Sequence, residues 1–486
     1  MPYKNKLFFT AIINVLFFAN PALANSETEA LRLQIKALEA RLNQLEKKQS
    51  ASKTFEIQPV SNKANIENRL NIIERKQELA QEDRKTKAEK TPAIEVGSKG
   101  LLVTSPDKQY SLRMRAYAQA QYRSFIGNKN TTSVNQFLLR SARPIIEAKL
   151  TDYFSARLMM DFGNNQTRLL DAYTDFKPAP QSKFLAKLFA LRVGKFKTPI
   201  GLERWQSEQD LLFSERGQTT NLVPFRDIGV MALGEIIPDQ LEYQLSYTNG
   251  VADLGDNNAD SDNHKDISGR LFMHPFRWSK INFLQGFGVG IAGTYGNHTG
   301  NNTTPALSAG YVTIGQSRYF TYNASSFADG NAWRFNPQAY YYNGAFSLLG
   351  EYVINSQEIR NGATKRTIKN DAWNAIATFV LTGEDASFDG VKPANNFDIT
   401  KGNWGAFELT GRAGVLKVDK NVFPIFSSLN TSAKKAKEGA VGVNWYFNNS
   451  IKLNFNYAVT KFDGGATADE DRKTEQVFIT QAQFRF

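Results

Sequence analysis

Between Lys195 and Asp227 five bases, Lys195, Lys197, Arg204, Arg216 and Arg226, are interleaved with five acids, Glu203, Glu208, Asp210, Glu215 and Asp227. Such a mixture pairs no nucleophile with a base. Its chemistry is electrostatic: a free base attracts an anion, and a base held by a carboxylate stiffens structure. The surrounding stretch, Arg192 to Val230, starts as strand at Leu191 and Val193 and breaks at Thr198-Pro199-Ile200-Gly201. It then runs for about 30 residues before strand character resumes near Asp227, too long for an ordinary connection. Phe196, Trp205, Phe213 and Phe225 and the Pro-Gly turn argue for a packed loop. We expect it to fold inside something hollow and to carry its charges to where they act.

Other chemistries find little support. The chain has no Cys, which excludes disulfides, thiolate metal sites and Cys nucleophiles. Its three histidines, His264, His274 and His298, are scattered in or beside expected loops, so neither a catalytic dyad nor a metal centre is expected. No enzyme activity and no cofactor are implied. The net charge of +12 points to anionic partners.

The elements that position the bases follow from the order of the chain. Residues 1–24 carry Lys4 and Lys6, an apolar run and Ala22-Leu23-Ala24, the pattern of a secretory signal with its cleavage site. Removing those two lysines leaves +10 on an exported chain, which argues against nucleic acid as the partner. In residues 25–92, Leu31, Ile35, Leu38, Leu42 and Leu45 are spaced as coiled-coil a and d positions, and Ile66, Leu70, Ile73 and Ala80 resume the register. Pro59 interrupts them, so we expect an oligomerising periplasmic stalk with linkers near Gln49–Ser61 and Glu82–Pro92. Ile35 at a with Leu at d slightly favours two strands over three.

From Leu101 to Phe486 the period becomes two, within a barrel domain expected over residues 93–486. In LRMRAYAQAQYR the residues Leu112, Met114, Ala116, Ala118, Ala120 and Tyr122 face one way, and Arg113, Arg115, Tyr117, Gln119, Gln121 and Arg123 the other. About sixteen such strands are separated by short turns alternating with long polar loops, such as Gly250–Lys265, Asn297–Asn331 and Gly383–Asn403. No segment after the N-terminus is apolar enough for a spanning helix. The expected fold is all-β: a 16-stranded antiparallel transmembrane β-barrel preceded by an α-helical coiled-coil segment. A β-sandwich does not need so many long strands with apolar, aromatic-tipped faces. Tyr247, Trp373, Trp445 and Tyr446 are expected in aromatic girdles.

In a barrel the apolar set meets lipid and the other set meets the lumen. That parity makes Arg113, Arg115, Arg123, Arg143, Arg157 and Arg270 lumenal, with Lys195, Lys197, Arg204, Arg216 and Arg226 brought in on the central loop. Glu147, Asp161, Asp171 and Asp175 point inward too and are candidates for wall ion pairs. The chain ends on Phe486 after an alternating strand, which resembles the assembly signal of Gram-negative outer-membrane proteins.

The run RVGKFKTPIGLERWQSEQDLLFSER followed by NLVPFRDIGV resembles the motif of the phosphate-selective porin O and P family. The similarity continues through RSARPIIEAKL, LMMDFG, LLDAYTDF, LTGE, WGAFELTGR and GVNWYF, from about Val96 to Phe486. The resemblance implies a homotrimeric outer-membrane channel whose Arg- and Lys-bearing lumen attracts phosphate or related small anions. Two readings of other kinds stay open: a general non-specific porin, and a structural protein whose coiled coil tethers the barrel to the cell wall or a partner.

Overall fold

The computed structural model describes Ala40 and residues 62–127, 133–260 and 262–486. Two compact units divide the chain after Thr86. A helix spans Asn62–Lys90. The second heptad run lies on it, with Leu70 and Ile73 exposed, as are Ile72 and Leu79. The signal segment and the first heptad run lie outside the described residues. The linker expected at Glu82–Pro92 is instead helical as far as Lys90, because its Glu, Lys and Ala favour helix and no breaker occurs before Pro92.

Residues from Ala93 onward form the β unit. Its barrel comprises β3 (Ser111–Phe125), β4 (Gln136–Lys149), β5 (Phe154–Asp161), β6 (Arg168–Phe176), β7 (Ala190–Lys197), β8 (Arg226–Ile237), β9 (Leu241–Thr248), β10 (Asp266–Met273), β11 (Phe287–Thr299), β14 (Ser326–Asn343), β15 (Phe346–Asn361), β16 (Thr364–Val380), β17 (Ala406–Lys417), β18 (Ala433–Tyr446), β19 (Ile451–Gly464) and β20 (Glu475–Arg485). Each pairs antiparallel with the next, and β20 pairs with β3 from Val477↔Phe125 to Arg485↔Tyr117, so the sheet closes. Closure leaves no free edge within the wall. Below that seam β3 pairs with β2 (Gly100–Thr104), itself in a hairpin with β1 (Ala93–Gly97).

The alternation read from the sequence sets which face is which. Leu112, Met114, Ala116 and Ala120 are exposed on β3, whereas Tyr117, Gln119, Gln121 and Arg123 are buried. Likewise Phe478, Phe484 and Phe486 are exposed. One girdle residue is corrected: Trp445 faces out but its neighbour Tyr446 is buried and donates to Glu408 Oε2. Adjacent residues of a strand cannot share a face.

The loop pattern also needs a correction. The connection across 381–405, expected among the long loops, lies at the end that holds the short turns. At the opposite end β15 and β16 meet through Gly362-Ala363 alone. Strict up-and-down alternation of the strands puts 381–405 there, while 418–432 and 465–474 return to the end of the other long loops. His298 is corrected too: it is a buried residue of β11, with Nε2 3.1 Å from Asp266.

The barrel interior is packed. The 300–325 connection contains a small hairpin, β12 (Tyr311–Val312) with β13 (Arg318–Phe320), whose Tyr311, Tyr319 and Phe320 are fully buried. They join Ile200, Leu222 and Val223 of the 198–225 segment and Val353 and Ile359 of β15 in one apolar cluster. The long loop expected from the sequence is therefore folded inward.

Candidate functional site

The inner loop leaves β7 at Thr198 and returns at β8. Pro199 ends the strand, and Gly201 turns the chain at φ +83°, where a Cβ would stand 2.9 Å from the Arg204 Cβ. Its far side is anchored on the opposite wall. Gly201 N–H donates to Asn336 of β14 (2.9 Å), Leu202 N–H to Glu351 of β15 (2.7 Å) and the Thr219 hydroxyl to the other Glu351 oxygen (2.9 Å). Arg412 of β17 binds both limbs: Nη1 donates to the Glu215 carbonyl (2.8 Å) and lies 3.3 Å from Glu203. Ser214 is held by Asn456 of β19.

Between this loop and strands β3–β6 lies a cavity of about 290 Å³. Seven of the expected residues converge on it: Arg115, Arg143 and Arg157 from the wall, and Lys197, Arg204, Arg216 and Arg226 from the loop and its ends. Four do not. Arg123 is buried against Glu215 (2.7 Å), Lys195 against Asp256 (2.7 Å), and Arg270 bonds to Glu242 (2.5 Å). Arg113 faces a separate recess that shares Arg157 and Glu147 with its surroundings.

Two further arginines line the cavity that parity alone hides, Arg140 and Arg168. Opposite Gln119 and Ala120, β4 advances from Ser141 to Leu139, leaving Arg140 as an extra residue. Opposite Met159 and Met160, β6 skips Leu170 in the same way. Each bulge reverses the facing of the residues beyond it and turns an arginine inward.

Charge pairing within the site is uneven. Glu208 of the loop bonds to Arg143 (2.7 Å) and accepts from Ser141 (2.7 Å). Glu215 holds Arg140 with two bonds, 2.6 and 2.9 Å. On the wall Glu147 bridges Arg115 and Arg157, both at 2.7 Å, and Asp171 accepts from Arg226 at 2.7 Å. Among the described residues, Lys197 and Arg204 have no carboxylate within 4.0 Å. The Lys197 ammonium donates to the carbonyls of Trp205 and Gln206, each at 3.0 Å. Arg204 stacks on Phe225 at 3.7 Å and donates to the Thr220 carbonyl.

Glu208 and Glu215 of the loop thus neutralise wall arginines, Arg216 shares Glu208 at 3.4 Å, and Lys197 and Arg204 meet backbone. Nearby arginines hold the Glu208 carboxyl well below the usual carboxylate range despite its burial. Burial and the neighbouring Arg216 push Arg204 the other way, well below an ordinary guanidinium. A guanidinium keeps its proton in proteins, so Arg204 stays a charged group in this buried position. Three of the lining residues, Arg115, Arg168 and Arg204, keep a buried Nε without a hydrogen-bond partner. Arg140, Arg204, Arg216 and Phe225 also border a smaller cavity of about 60 Å³ on the Gly217–Asn221 side of the loop. No group of metal-ligating residues occurs among the described residues.

Comparison with known proteins agrees with this architecture. The chain is 26% identical to Porin O of Pseudomonas aeruginosa over 431 residues, 80% of this chain and 91% of that one. It shares its fold with the outer membrane channel DcaP of Acinetobacter baumannii, at TM-score 0.51 and 10% identity, over 78% of this chain and 98% of that one. An anion-selective porin from Comamonas acidovorans superposes at TM-score 0.48 and 10% identity, over 78% of this chain and all of that one. The family model for phosphate-selective porin O and P matches residues 109–486. The chain is an outer-membrane porin, a channel and not an enzyme, and it belongs to the phosphate-selective porin O and P family.

Proposed function

We propose that this porin is an anion-selective channel for passive diffusion of phosphate or related small oxyanions, with the inner loop as its constriction. One observation carries the reading: Lys197 and Arg204 border the cavity with no carboxylate partner among the described residues, while Glu208 and Glu215 of the same loop are bonded to wall arginines. Forked guanidinium donors and a point-charge ammonium suit a tetrahedral oxyanion. Because Arg140, Arg204 and Arg216 border both cavities, an anion crossing the loop passes from one to the other over the same three groups.

The functional unit in this reading is a homotrimer in the outer membrane with the N-terminal segment in the periplasm. The exposed Leu70, Ile73 and Leu79 of the helix favour a helix–helix contact there, serving trimerisation, a tether to the cell wall, or both.

Planar-bilayer recording tests these readings together. Stable conductance steps, a reversal potential toward the anion equilibrium in a KCl gradient, and saturable block of chloride current by phosphate are expected. Cation preference sinks the anion reading, and absence of current favours the tether.

A further inference from the structure

On the outer face of the barrel the lipid-facing residues of β17–β19 are apolar from the Trp445 level upward: Leu409 and Ala413 on β17, Val441 and Val443 on β18, Leu453, Phe455, Tyr457 and Val459 on β19. This surface ends abruptly at the loop end. There Lys437 and Lys461 stand directly opposite each other across β18 and β19, in one register row with Val415 and Trp373. The next row holds Lys417 opposite Lys435, flanked by Asp371 on β16 and Asp463 on β19. Inward neighbours Ala436, Glu438, Thr460 and Phe462 are buried, so these lysines point away from the lumen.

Their compensation is thin. Lys417 reaches Asp371 only at 3.7 Å, and Asp463 is taken by Lys434 at 3.2 Å. Among the described residues Lys435, Lys437 and Lys461 have no ion pair. Like charges in direct cross-strand register destabilise a sheet unless an anion lies between them. Neighbouring strands are about 4.8 Å apart, close enough for two ammonium groups to share one phosphate. The cluster is also local: at the same end β9–β14 present Tyr247, Ile267, Tyr295 and Trp333 in one row.

Height identifies the partner. Lys437 lies eight residues along β18 from Trp445, about 26 Å of strand, and about 20 Å of height once a strand tilt near 40° is allowed for. That spans most of the apolar band of about 25 Å, so these long lysine side chains reach the headgroup level at its edge.

We propose that Lys417, Lys435, Lys437 and Lys461 form a docking surface for a phosphate-bearing lipid headgroup of the loop-side leaflet, whose acyl chains lie on the apolar face below. This surface is separate from the pore and serves annular lipid recognition.

The test uses the purified full-length oligomer, wild type and K437S/K461S, incubated in detergent with bis-phosphorylated lipid A or its dephosphorylated form and read by native mass spectrometry. Each lysine near an anionic surface contributes about a fivefold factor, so the double variant should hold lipid A about thirtyfold more weakly. The dephosphorylated lipid should bind wild type no better than lipid A binds the variant, and millimolar inorganic phosphate should displace nothing. Ion selectivity in bilayers should be unchanged, which shows the variant barrel is intact. Equal binding by the variant, equal binding of the dephosphorylated lipid, or displacement by inorganic phosphate would overturn the proposal.

Discussion

Glu208 of the inner loop lies 2.7 Å from Arg143 of β4, so an acid of the loop neutralises a base of the wall. The same division holds for Glu215 with Arg140. It leaves Lys197 and Arg204 as the bases with the most field to offer a passing anion.

Charge reversal at those two positions should therefore matter most. K197E and R204E should each lower the anion-to-cation permeability ratio by roughly tenfold. R123Q should change it little, because Glu215 keeps both bonds to Arg140. Reversal potentials in a salt gradient check this, and equal effects from all three would remove the loop from the selective region.

Neutralising Glu208 should act in the opposite direction. E208Q frees positive field at Arg143 and Arg216, so anion preference should rise while stability falls by about 3 kcal/mol, the cost of uncovering a buried ion. The folded-state pKa of Glu208 is depressed, so its stabilising contribution is present above the unfolded value and is lost only as pH falls through the lower folded value. Glu208 therefore stays charged through the ordinary carboxylate range, whereas burial and the nearby Arg216 and Arg226 push Lys197 well below an ordinary ammonium, so anion selectivity should fall as pH rises and Lys197 loses its proton. Selectivity unchanged on raising the pH would contradict this assignment.

Glu351 carries no cation partner among the described residues, yet accepts from Leu202 N–H, the Thr219 hydroxyl and Asn336. It behaves as the wall's clamp on the loop. E351A leaves those buried donors unmet, costing about 3 kcal/mol. It should raise single-channel noise and weaken selectivity without removing any cavity charge, and E351D should restore part of both. A quiet, selective E351A channel would refute the clamp.

Gly201 offers a backbone test. Alanine there meets a positive φ and the Arg204 Cβ at 2.9 Å. G201A should cost about 1–2 kcal/mol and shift Arg204 enough to weaken phosphate block more than overall conductance. Thermal denaturation together with phosphate titration of the chloride current would show it.

What the sequence alone determined was whatever depends on local order. Period-two alternation placed sixteen strands and their lipid faces, because a strand's side chains must alternate whatever lies around them. The break at Pro199-Gly201 marked the inner loop because no strand continues through it. Tertiary structure decided everything that depends on a second segment. Bulges at Arg140 and Leu170 exist only relative to the partner strand, so parity put Arg140 and Arg168 on the wrong face. Pairing of Glu208 and Glu215 with β4, and of Lys195 with Asp256, arises from where the loops cross the lumen. An interleaved run of acids and bases looks self-neutralising along the chain. Folding across the barrel instead sends its carboxylates to the wall and leaves Lys197 and Arg204 facing the cavity, since ion pairs form by distance in space and not by spacing in sequence.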